Sequence, residues 1–360
     1  MTTDPYIAPP QTTPGASGPG GVRLGIIGLG AMGARVLAVA ADHPDVEVVA
    51  CADPGPEAVE RARAATGAAH PGIQFGGDPY AILNRDDIDA VYIASPPSSH
   101  AEYAIAALKS GKSVFSEKPL AASIADGEAM AAAAREAAQV SALNFVFADR
   151  ACAREIRRAL RDGEAGDVLG VDIRLTFPIW PREFQRDATW LAERAEGGFV
   201  REVGSHFLFL TDRLLGPLTP EHARVIFPAA APSAATAATA TAAAPAAEVG
   251  ATATFHADGI PVRLTGLVGA ARETYEWTLY GSKRSYRIDG WTTVSVSDGG
   301  DWTPVQLPSP EGTEHTRLSE FARAVRARRV QGPGSESTLA DFDAGLRVLR
   351  AVEYILGESR

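Results

Sequence analysis

A glycine-rich string between an apolar run and a helix-like segment constrains the fold of this chain more than any other feature. Gly28, Gly30 and Gly33 follow the run VRLGII and precede a stretch of small and aliphatic residues. A second apolar run, VEVVACAD, ends on Asp53, 20 positions after Gly33. A strand, a glycine turn, a helix and a second strand that ends on an acidic residue are typical of a dinucleotide-binding domain.

Each glycine has a physical role in such a turn. Gly28 permits the tight bend, Gly30 lets the backbone approach a pyrophosphate, and Gly33 lets helix and strand pack closely. Asp53 would accept hydrogen bonds from the adenosine ribose, and its charge would repel a 2′-phosphate. Because DPGPEAVE contains no Arg or Lys, we expect NAD to be favoured, with NADP as the other possibility. Ala31 and Met32 complete the predicted cofactor turn.

The same alternation of strand and helix continues and predicts the fold class. We expect an α/β Rossmann domain, with a doubly wound parallel sheet, over residues 21–143. From residue 144 to 360 the strand-like segments AGDVLGVDIRLTF, ARVIF, EVGATATFHA, PVRLTGLVG, TYEWTLYG and RSYRIDG predict an α+β domain with a large, open, mostly antiparallel sheet. Two helices close the chain, the second capped by Ser337 or Thr338. Residues 1–20 are predicted to be a flexible tail, and about 228–248 a low-complexity loop.

The carboxyl ends of the predicted parallel strands should meet at one crevice, where a doubly wound sheet binds its ligand. Lys118 lies at such an end, between Glu117 and a proline of fixed φ. Partial burial there would lower the pKa of Lys118 toward a useful range for proton transfer, although a lysine at a loop start is more often only solvated. The cofactor residues predicted at these strand ends are Ser95, Pro96, Pro97, His100, Glu117 and Lys118.

Composition excludes several classes of function. A formal net charge of −10 and a pI near 5.3 argue against a nucleic-acid partner, because phosphate binding needs a basic surface. Two cysteines in unrelated contexts offer neither a disulfide framework nor a zinc knuckle. The first residues lack a basic start and an apolar core, and no long apolar run follows elsewhere. We therefore expect a cytoplasmic protein with no membrane partner.

Glu202 and His206 stand four positions apart, after a double glycine, so a helix would carry both on one face. The pair could be a metal site, a catalytic pair or two polar residues with a structural role. A metal site needs a third and usually a fourth ligand, and the nearby sequence supplies no Cys, His or Asp cluster. We expect no metal.

Three motifs together resemble the glucose-fructose oxidoreductase and inositol dehydrogenase family, Gfo/Idh/MocA. They are RLGIIGLGAMG, IASPPSSHAEYAIAALKSGKSVFSEKPLAAS and GGFVREVGSH. The resemblance implies that the E-K-P lysine and a D-x-x-x-H pair of the second domain flank the substrate over the nicotinamide. In this sequence the corresponding positions are Lys118, Glu202 and His206. His206 would then polarise or protonate the substrate oxygen, and Glu202 would orient the site.

The chain departs from the family pattern at three positions. Glu202 replaces the usual aspartate, Phe209 stands where an aspartate often follows the histidine, and Val146 stands where many relatives carry an arginine. These changes predict a less polar substrate pocket than that of a polyol dehydrogenase. The predicted substrate residues are Lys118, Asn144, Trp180, Trp190, Glu202 and His206, although aromatic residues serve equally often as core. Arg182 and Arg186 could meet an anionic group, but exposure is the usual state of arginine.

The sequence therefore predicts an NAD(P)-dependent oxidoreductase that transfers hydride between nicotinamide and a hydroxyl-bearing or carbonyl carbon of a sugar, polyol or related small molecule. Lys118 and His206 would transfer protons. Three alternatives stay open: an imine reductase, a redox-neutral NAD-dependent glycosidase and a non-catalytic cofactor sensor. A homodimer or homotetramer through the large sheet is the expected assembly, because a broad sheet with alternating apolar residues needs cover.

Overall fold

The structure is a computed structural model and describes residues 21–186, 188–228, 246–307, 312–331 and 339–357. The tail expected over residues 1–20, most of the loop expected at about 228–248, and Ser337 and Thr338 lie outside the described residues. The described chain divides into two compact units. Of the described residues, 21–150, 312–331 and 339–346 form the parallel-sheet unit. The large-sheet unit comprises residues 151–186, 188–228, 246–307 and 347–357.

The parallel-sheet unit contains a six-stranded sheet in the order β3-β2-β1-β4-β5-β6. All paired strands run parallel. Every residue of the interior strands β4 and β5 is buried, as expected of a parallel sheet that is covered on both faces. The strands are β1 (Val22–Ile27), β2 (Val46–Ala52), β3 (Gln74–Gly76), β4 (Ala90–Ile93), β5 (Ser113–Ser116) and β6 (Ser141–Leu143).

Helices alternate with these strands, and several of them begin at a start signal in the sequence. Pro56 occupies the first turn of its helix, and the hydroxyl of Ser123 accepts a hydrogen bond from the Asp126 N–H at 3.1 Å. The helices of this unit are α1 (Ala31–Ala40), α2 (Pro56–Thr66), α3 (Pro79–Leu83), α4 (His100–Lys109), α5 (Ile124–Glu136) and, much later in the chain, α8 (Glu314–Gln331). The late helix α8 packs against α1, β1 and β2.

The large-sheet unit contains an eight-stranded sheet in the order β14-β13-β12-β11-β7-β10-β9-β8. All its pairs are antiparallel except β7 with β10. Burial alternates along β10, so this strand has one covered and one exposed face. The strands are β7 (Val168–Phe177), β8 (Leu218–Ile226), β9 (Gly250–Ala257), β10 (Ile260–Val268), β11 (Thr274–Gly281), β12 (Ser285–Asp289), β13 (Thr293–Ser297) and β14 (Thr303–Pro304).

Two helices lie wholly in the large-sheet unit, α6 (Ala151–Arg161) and α7 (Ser205–Leu215). A π-helical turn, Val200–Gly204, leads directly into α7. The last helix, α9 (Phe342–Leu356), contributes its first residues to the parallel-sheet unit and the rest to the large-sheet unit. It begins after Asp341, whose carboxylate accepts a hydrogen bond from the Ala344 N–H at 2.8 Å.

The predicted fold class is confirmed, since a parallel Rossmann-like sheet is followed by a large, mostly antiparallel sheet. The short strands β3 and β6, the edge strand β14 and its neighbour β13 were not predicted. Residues 312–331 and 339–346 group with the parallel-sheet unit, and the domain ranges 21–143 and 144–360 stay a prediction. No sequence signal near α8 specifies its packing partner, which is set by contacts with residues far earlier in the chain.

Candidate functional site

The glycine turn after β1 has the shape that a dinucleotide phosphate requires. Gly28 has φ +92°, and a Cβ at this position would lie 2.5 Å from the backbone of Ser95. A Cβ on Gly33 would lie 1.9 Å from the Gly28 carbonyl oxygen, so only glycine allows this close approach of helix and turn. By contrast, a Cβ on Gly30 would have no atom within 4 Å. The turn therefore leaves open space above Gly30, at the start of α1, where a pyrophosphate would sit.

Asp53 lies at the carboxyl end of β2 and is joined to the glycine turn. Its Oδ2 accepts a hydrogen bond from the Leu29 N–H at 2.7 Å, and its Oδ1 accepts one from the Gly55 N–H at 2.7 Å. These bonds fix the direction of the carboxylate and hold a negative charge beside the turn. The predicted turn residues Ala31 and Met32 are exposed.

The carboxyl ends of β4 and β5 are connected through His100. This histidine is fully buried, and its two ring nitrogens lie 2.9 Å from the carbonyl oxygens of Ser95 and Pro119. Burial lowers the pKa of His100, which opposes protonation of the ring. His100 thus ties the segment after β4 to the segment after β5. Of the predicted residues in the first segment, Pro97 is buried and Pro96 is exposed.

Glu117 and Lys118 follow β5 and differ in their surroundings. Glu117 is buried, and its Oε1 accepts hydrogen bonds from the Tyr92 hydroxyl at 2.5 Å and the Asn144 amide at 2.9 Å. Burial raises the pKa of the Glu117 carboxyl. Lys118, the next residue, is partly exposed. The structure therefore fixes Glu117 inside the protein and presents Lys118 at the strand ends, the edge at which Gly28 and Asp53 also lie.

Asn144, a predicted substrate residue, has protein partners for both ends of its side chain. Its Nδ2 donates to Tyr92 and to Glu117, and its Oδ1 accepts a hydrogen bond from Arg317 at 2.6 Å. The amide is also buried. A substrate role for Asn144 stays a prediction, and the observed contacts give it a structural role within the parallel-sheet unit.

Glu202 and His206 lie in the large-sheet unit, whereas Lys118 lies in the parallel-sheet unit. Glu202 belongs to the π-helical turn Val200–Gly204, and His206 to the first turn of α7. Such π-helical turns occur frequently at functional sites. His206 is buried, and its ring meets that of Trp291 edge to face, with centroids 5.6 Å apart.

Arg182 was expected to be exposed, but it is buried beside Glu202. Its exposed fraction is 5%, and its guanidinium lies 4.6 Å from the Phe184 ring centroid and 3.8 Å from Glu202 Oε1. Gln185 donates to the same oxygen of Glu202 at 3.1 Å. The usual exposure of arginine therefore does not hold here. An arginine and an amide thus lie beside Glu202, and the less polar substrate pocket stays a prediction.

The helix that carries Glu202 and His206 is anchored by buried ion pairing. Arg201 donates two hydrogen bonds of 3.0 Å to the carboxylate of Glu353 in α9. Glu248 accepts a hydrogen bond from the Val200 N–H at 2.8 Å, and burial raises the pKa of its carboxyl to about 7. Neither Glu248 nor Glu353 was identified from the sequence, because no local motif marks a residue whose role depends on distant packing.

The predicted substrate residues Trp180 and Trp190 and the aromatic residues near them in the sequence differ in their environment. Trp180 donates its indole N–H to the Leu191 carbonyl at 2.9 Å and packs edge to face on the buried Phe177. Trp190 is 40% exposed and Phe184 is 44% exposed. Phe177 is thus core, whereas the other two rings present surface to solvent. Phe209 and Val146, the departures from the family pattern, are both buried.

In the described part of the chain, no group of three or more His, Cys, Asp or Glu side chains is arranged to hold a metal ion. None of the described helices combines the length and the hydrophobicity that a membrane span requires.

Comparison with known proteins gives matches over most of the chain. Residues 22–145 match the family model described as oxidoreductase family, NAD-binding Rossmann fold, and residues 153–287 match that of the GFO/IDH/MocA C-terminal domain. A dTDP-3,4-didehydro-2,6-dideoxy-alpha-D-glucose 3-reductase from Streptomyces violaceoruber is 30% identical, with 93% of each chain covered. A scyllo-inositol 2-dehydrogenase (NAD(+)) from Bacillus subtilis is 30% identical over 52% of this chain and 50% of its own length.

The fold is also that of solved structures. A 3-ketoreductase from Actinomadura kijaniata, crystallised with NADP and TDP-benzene, superposes with a TM-score of 0.70 at 24% identity. The match covers 93% of this chain and 97% of that chain. At this level of identity the likeness concerns the fold alone.

Proposed function

This chain belongs to the GFO/IDH/MocA family of NAD(P)-dependent oxidoreductases, and from that premise we propose that it reduces the carbonyl group of a keto sugar, or oxidises the corresponding alcohol. The observation that carries the proposal is the arrangement at the strand ends of the parallel-sheet unit. An open glycine turn, the carboxylate of Asp53 and Lys118 all lie along this edge. The nicotinamide cofactor, when bound, supplies or accepts the hydride.

Lys118 is proposed as the residue that transfers a proton to or from the substrate oxygen. It follows the fixed residue Glu117, so its backbone position is well defined, while its partial exposure leaves it accessible to a ligand. An ammonium group at this point would donate a proton as the carbonyl is reduced, and the amine would take it back in the reverse direction.

His206 and Glu202 are proposed to act on the substrate from the large-sheet unit. His206 would donate a hydrogen bond to the substrate oxygen, and Glu202 would orient hydroxyl groups of the sugar. The contacts of Glu202 with Gln185 and Arg182 support this role, because they fix the carboxylate direction. Because Gln185 donates to its Oε1, the Glu202 side chain is oriented to serve the sugar as a hydrogen-bond acceptor.

The substrate class is proposed from the relative whose length this chain matches. That protein is named as a reductase of a dTDP-linked keto sugar. Nucleotide-linked keto sugars are therefore the first substrates to test, followed by free keto sugars and inositols. NAD is the proposed preferred cofactor, because the carboxylate of Asp53 stands where a 2′-phosphate would be repelled.

The test is nicotinamide absorbance with purified protein, both cofactors and this substrate panel. The variant Lys118→Met removes the ammonium and keeps most of the side-chain volume. We expect its kcat to fall by about 10²-fold or more, as is usual for loss of a general acid. Lys109→Met, in α4, is the matched control and should retain turnover. Wild-type kcat in Lys118→Met would remove this residue from the mechanism.

The same panel separates the other activities considered for this sequence. Reduction of cyclic imines in preference to keto sugars would identify an imine reductase. Release of sugar without net change in nicotinamide absorbance would identify a redox-neutral glycosidase. Cofactor binding without turnover of any substrate would favour a sensor.

A further inference from the structure

We propose that Arg317, in the late helix α8, is a positioning residue for Lys118, acting through Asn144 and Glu117. Arg317 lies 199 positions after Lys118 in the sequence but in the same compact unit. This inference rests on the proposed role of Lys118 in proton transfer. It adds a buried residue that lies outside the motifs from which the site was predicted.

A continuous chain of hydrogen bonds joins Arg317 to Glu117. The Nε of Arg317 donates to Asn144 Oδ1 at 2.6 Å, and Asn144 Nδ2 donates to Glu117 Oε1 at 2.9 Å. The Tyr92 hydroxyl donates to the same Glu117 oxygen at 2.5 Å and accepts a bond from Asn144 at 2.8 Å. Tyr92, Glu117 and Asn144 come from β4, the end of β5 and the end of β6, so the network crosses three neighbouring strands.

Arg317 is itself held firmly at the other side. Its exposed fraction is 2%, its Nη1 donates to Asp149 at 3.0 Å, and its Nη2 lies 3.4 Å from Glu314. Asp149 also accepts a hydrogen bond from the Thr316 hydroxyl. A buried guanidinium needs such partners because desolvation of its charge is costly. These partners fix the plane of the Arg317 guanidinium, and the Nε–H that it donates fixes the orientation of the Asn144 amide.

The orientation of Asn144 matters because Lys118 is held through its two neighbours. On one side the Glu117 side chain is fixed by Asn144 and Tyr92, and the Glu117 N–H donates to the Ile93 carbonyl at 2.8 Å. On the other side the Pro119 carbonyl lies 2.9 Å from a ring nitrogen of His100. Loss of Arg317 would leave Asn144 free to turn and Glu117 without one fixed donor. A displacement of about 1 Å at a reacting group can cost up to about 10²-fold in rate.

The experiment compares Arg317→Met with Arg326→Met. Arg326 lies on the same helix and pairs with Asp45 at 2.8 Å, outside the network. We expect Arg317→Met to lower kcat by about 10-fold while the cofactor Kd stays within about 2-fold of wild type, because the group it affects is the proton donor. Arg326→Met should leave both values unchanged.

A second comparison tests whether the effect passes through Lys118. In a Lys118→Met background, Arg317→Met should produce no further loss of kcat, since residues that act as a unit are not additive. A further loss of about 10-fold in that background would overturn the proposal, as would wild-type kcat in a folded Arg317→Met protein.

If Arg317→Met does not fold, Arg317→Lys replaces it. Lysine keeps the buried positive charge near Asp149, but its single ammonium lacks the planar fork that bridges Asn144 and Asp149. The proposal is supported if Arg317→Lys lowers kcat in the wild-type background but causes no further decrease in the Lys118→Met background. A wild-type kcat in Arg317→Lys overturns it. Wild-type turnover in Lys118→Met alone would instead contradict the proposed role of Lys118 in proton transfer, so the failure of that role and the failure of the role of Arg317 are distinguishable.

Discussion

At the scale of single residues, a side chain can act on a ligand only through the donor and acceptor atoms that its hydrogen bonds within the protein leave available. Asp53 uses both carboxylate oxygens to accept backbone N–H groups, yet each oxygen retains a further lone pair for a ligand hydroxyl. Glu117 is buried and its Oε1 already accepts two hydrogen bonds, whereas Lys118 beside it is partly exposed. The residue proposed for proton transfer is therefore the accessible member of the pair.

Asp53→Ser should change the cofactor preference. Removing the carboxylate removes the repulsion of a 2′-phosphate, so we expect the ratio of kcat/KM for NAD over NADP to fall by about 10-fold or more. Steady-state kinetics with both cofactors measures this ratio. Glu57→Gln, an exposed acidic residue in the first turn of α2, is the control. An unchanged ratio in Asp53→Ser would show that another residue sets the preference.

At the scale of elements, the segment that carries Glu202 and His206 depends on buried charges. The Val200 N–H at its start donates to Glu248, and the neighbouring Arg201 pairs with Glu353 in α9. Replacing one partner of such a buried pair is strongly destabilising, because the other charge is left without compensation. The position of His206 thus rests on side chains about 40 and 150 residues further along the chain.

Glu248 should make stability depend on pH in a definite direction. Burial raises the pKa of its carboxyl from 4.5 to about 7. The folded protein therefore binds this proton more tightly than the unfolded chain. This contribution to stability is fully present below about pH 4.5 and is lost as pH rises through about 7. Between these two pH limits the contribution of Glu248 to the free energy of unfolding changes by about 3 kcal/mol.

Glu248→Gln tests this dependence. The variant keeps an acceptor for the Val200 N–H but cannot ionise, so its free energy of unfolding relative to wild type should increase between about pH 5 and pH 8. Chemical denaturation at several pH values measures the difference. Glu221→Gln, an exposed glutamate in β8, should follow wild type at every pH. Parallel curves for Glu248→Gln and wild type would contradict the prediction.

At the scale of the whole molecule, the exposed face of the large sheet is where we expect a second copy of the chain to bind. Leu267 is 46% exposed on β10 and Tyr280 is 37% exposed on β11. Charged side chains pair across the same sheet, as Arg263 does with Asp172 at 2.6 Å. A mixture of apolar and paired charged side chains suits an interface between copies of one chain.

Light scattering coupled to size-exclusion chromatography tests the proposed homo-oligomer. We expect a dimer or tetramer at micromolar concentration for the wild type, and a shift toward monomer for Leu267→Glu, because a charge would be desolvated at the interface. Thr219→Glu, at an exposed position of the edge strand β8, is the control. A wild-type monomer at this concentration would count against the assembly.

Sequence alone determined the features that depend on near neighbours along the chain. The strand, glycine turn and helix around Gly28, the strand end at Asp53 and the position of Lys118 after a buried strand follow from local patterns of apolar residues and glycines. The π-helical turn at Glu202 and the packing of α8 could not be predicted in this way. Regular spacing predicts a helix but specifies neither a local change of pitch nor the unit against which a helix packs.

Tertiary structure decided which side chains are buried and what they contact. The sequence predicts that Arg182 is exposed, yet it is buried beside Glu202. Arg317 bonds to Asn144 across 173 positions of sequence. Such contacts arise only when distant segments pack together. The desolvation free energy of a buried charge is then offset by polar partners from those segments, which the local sequence does not specify.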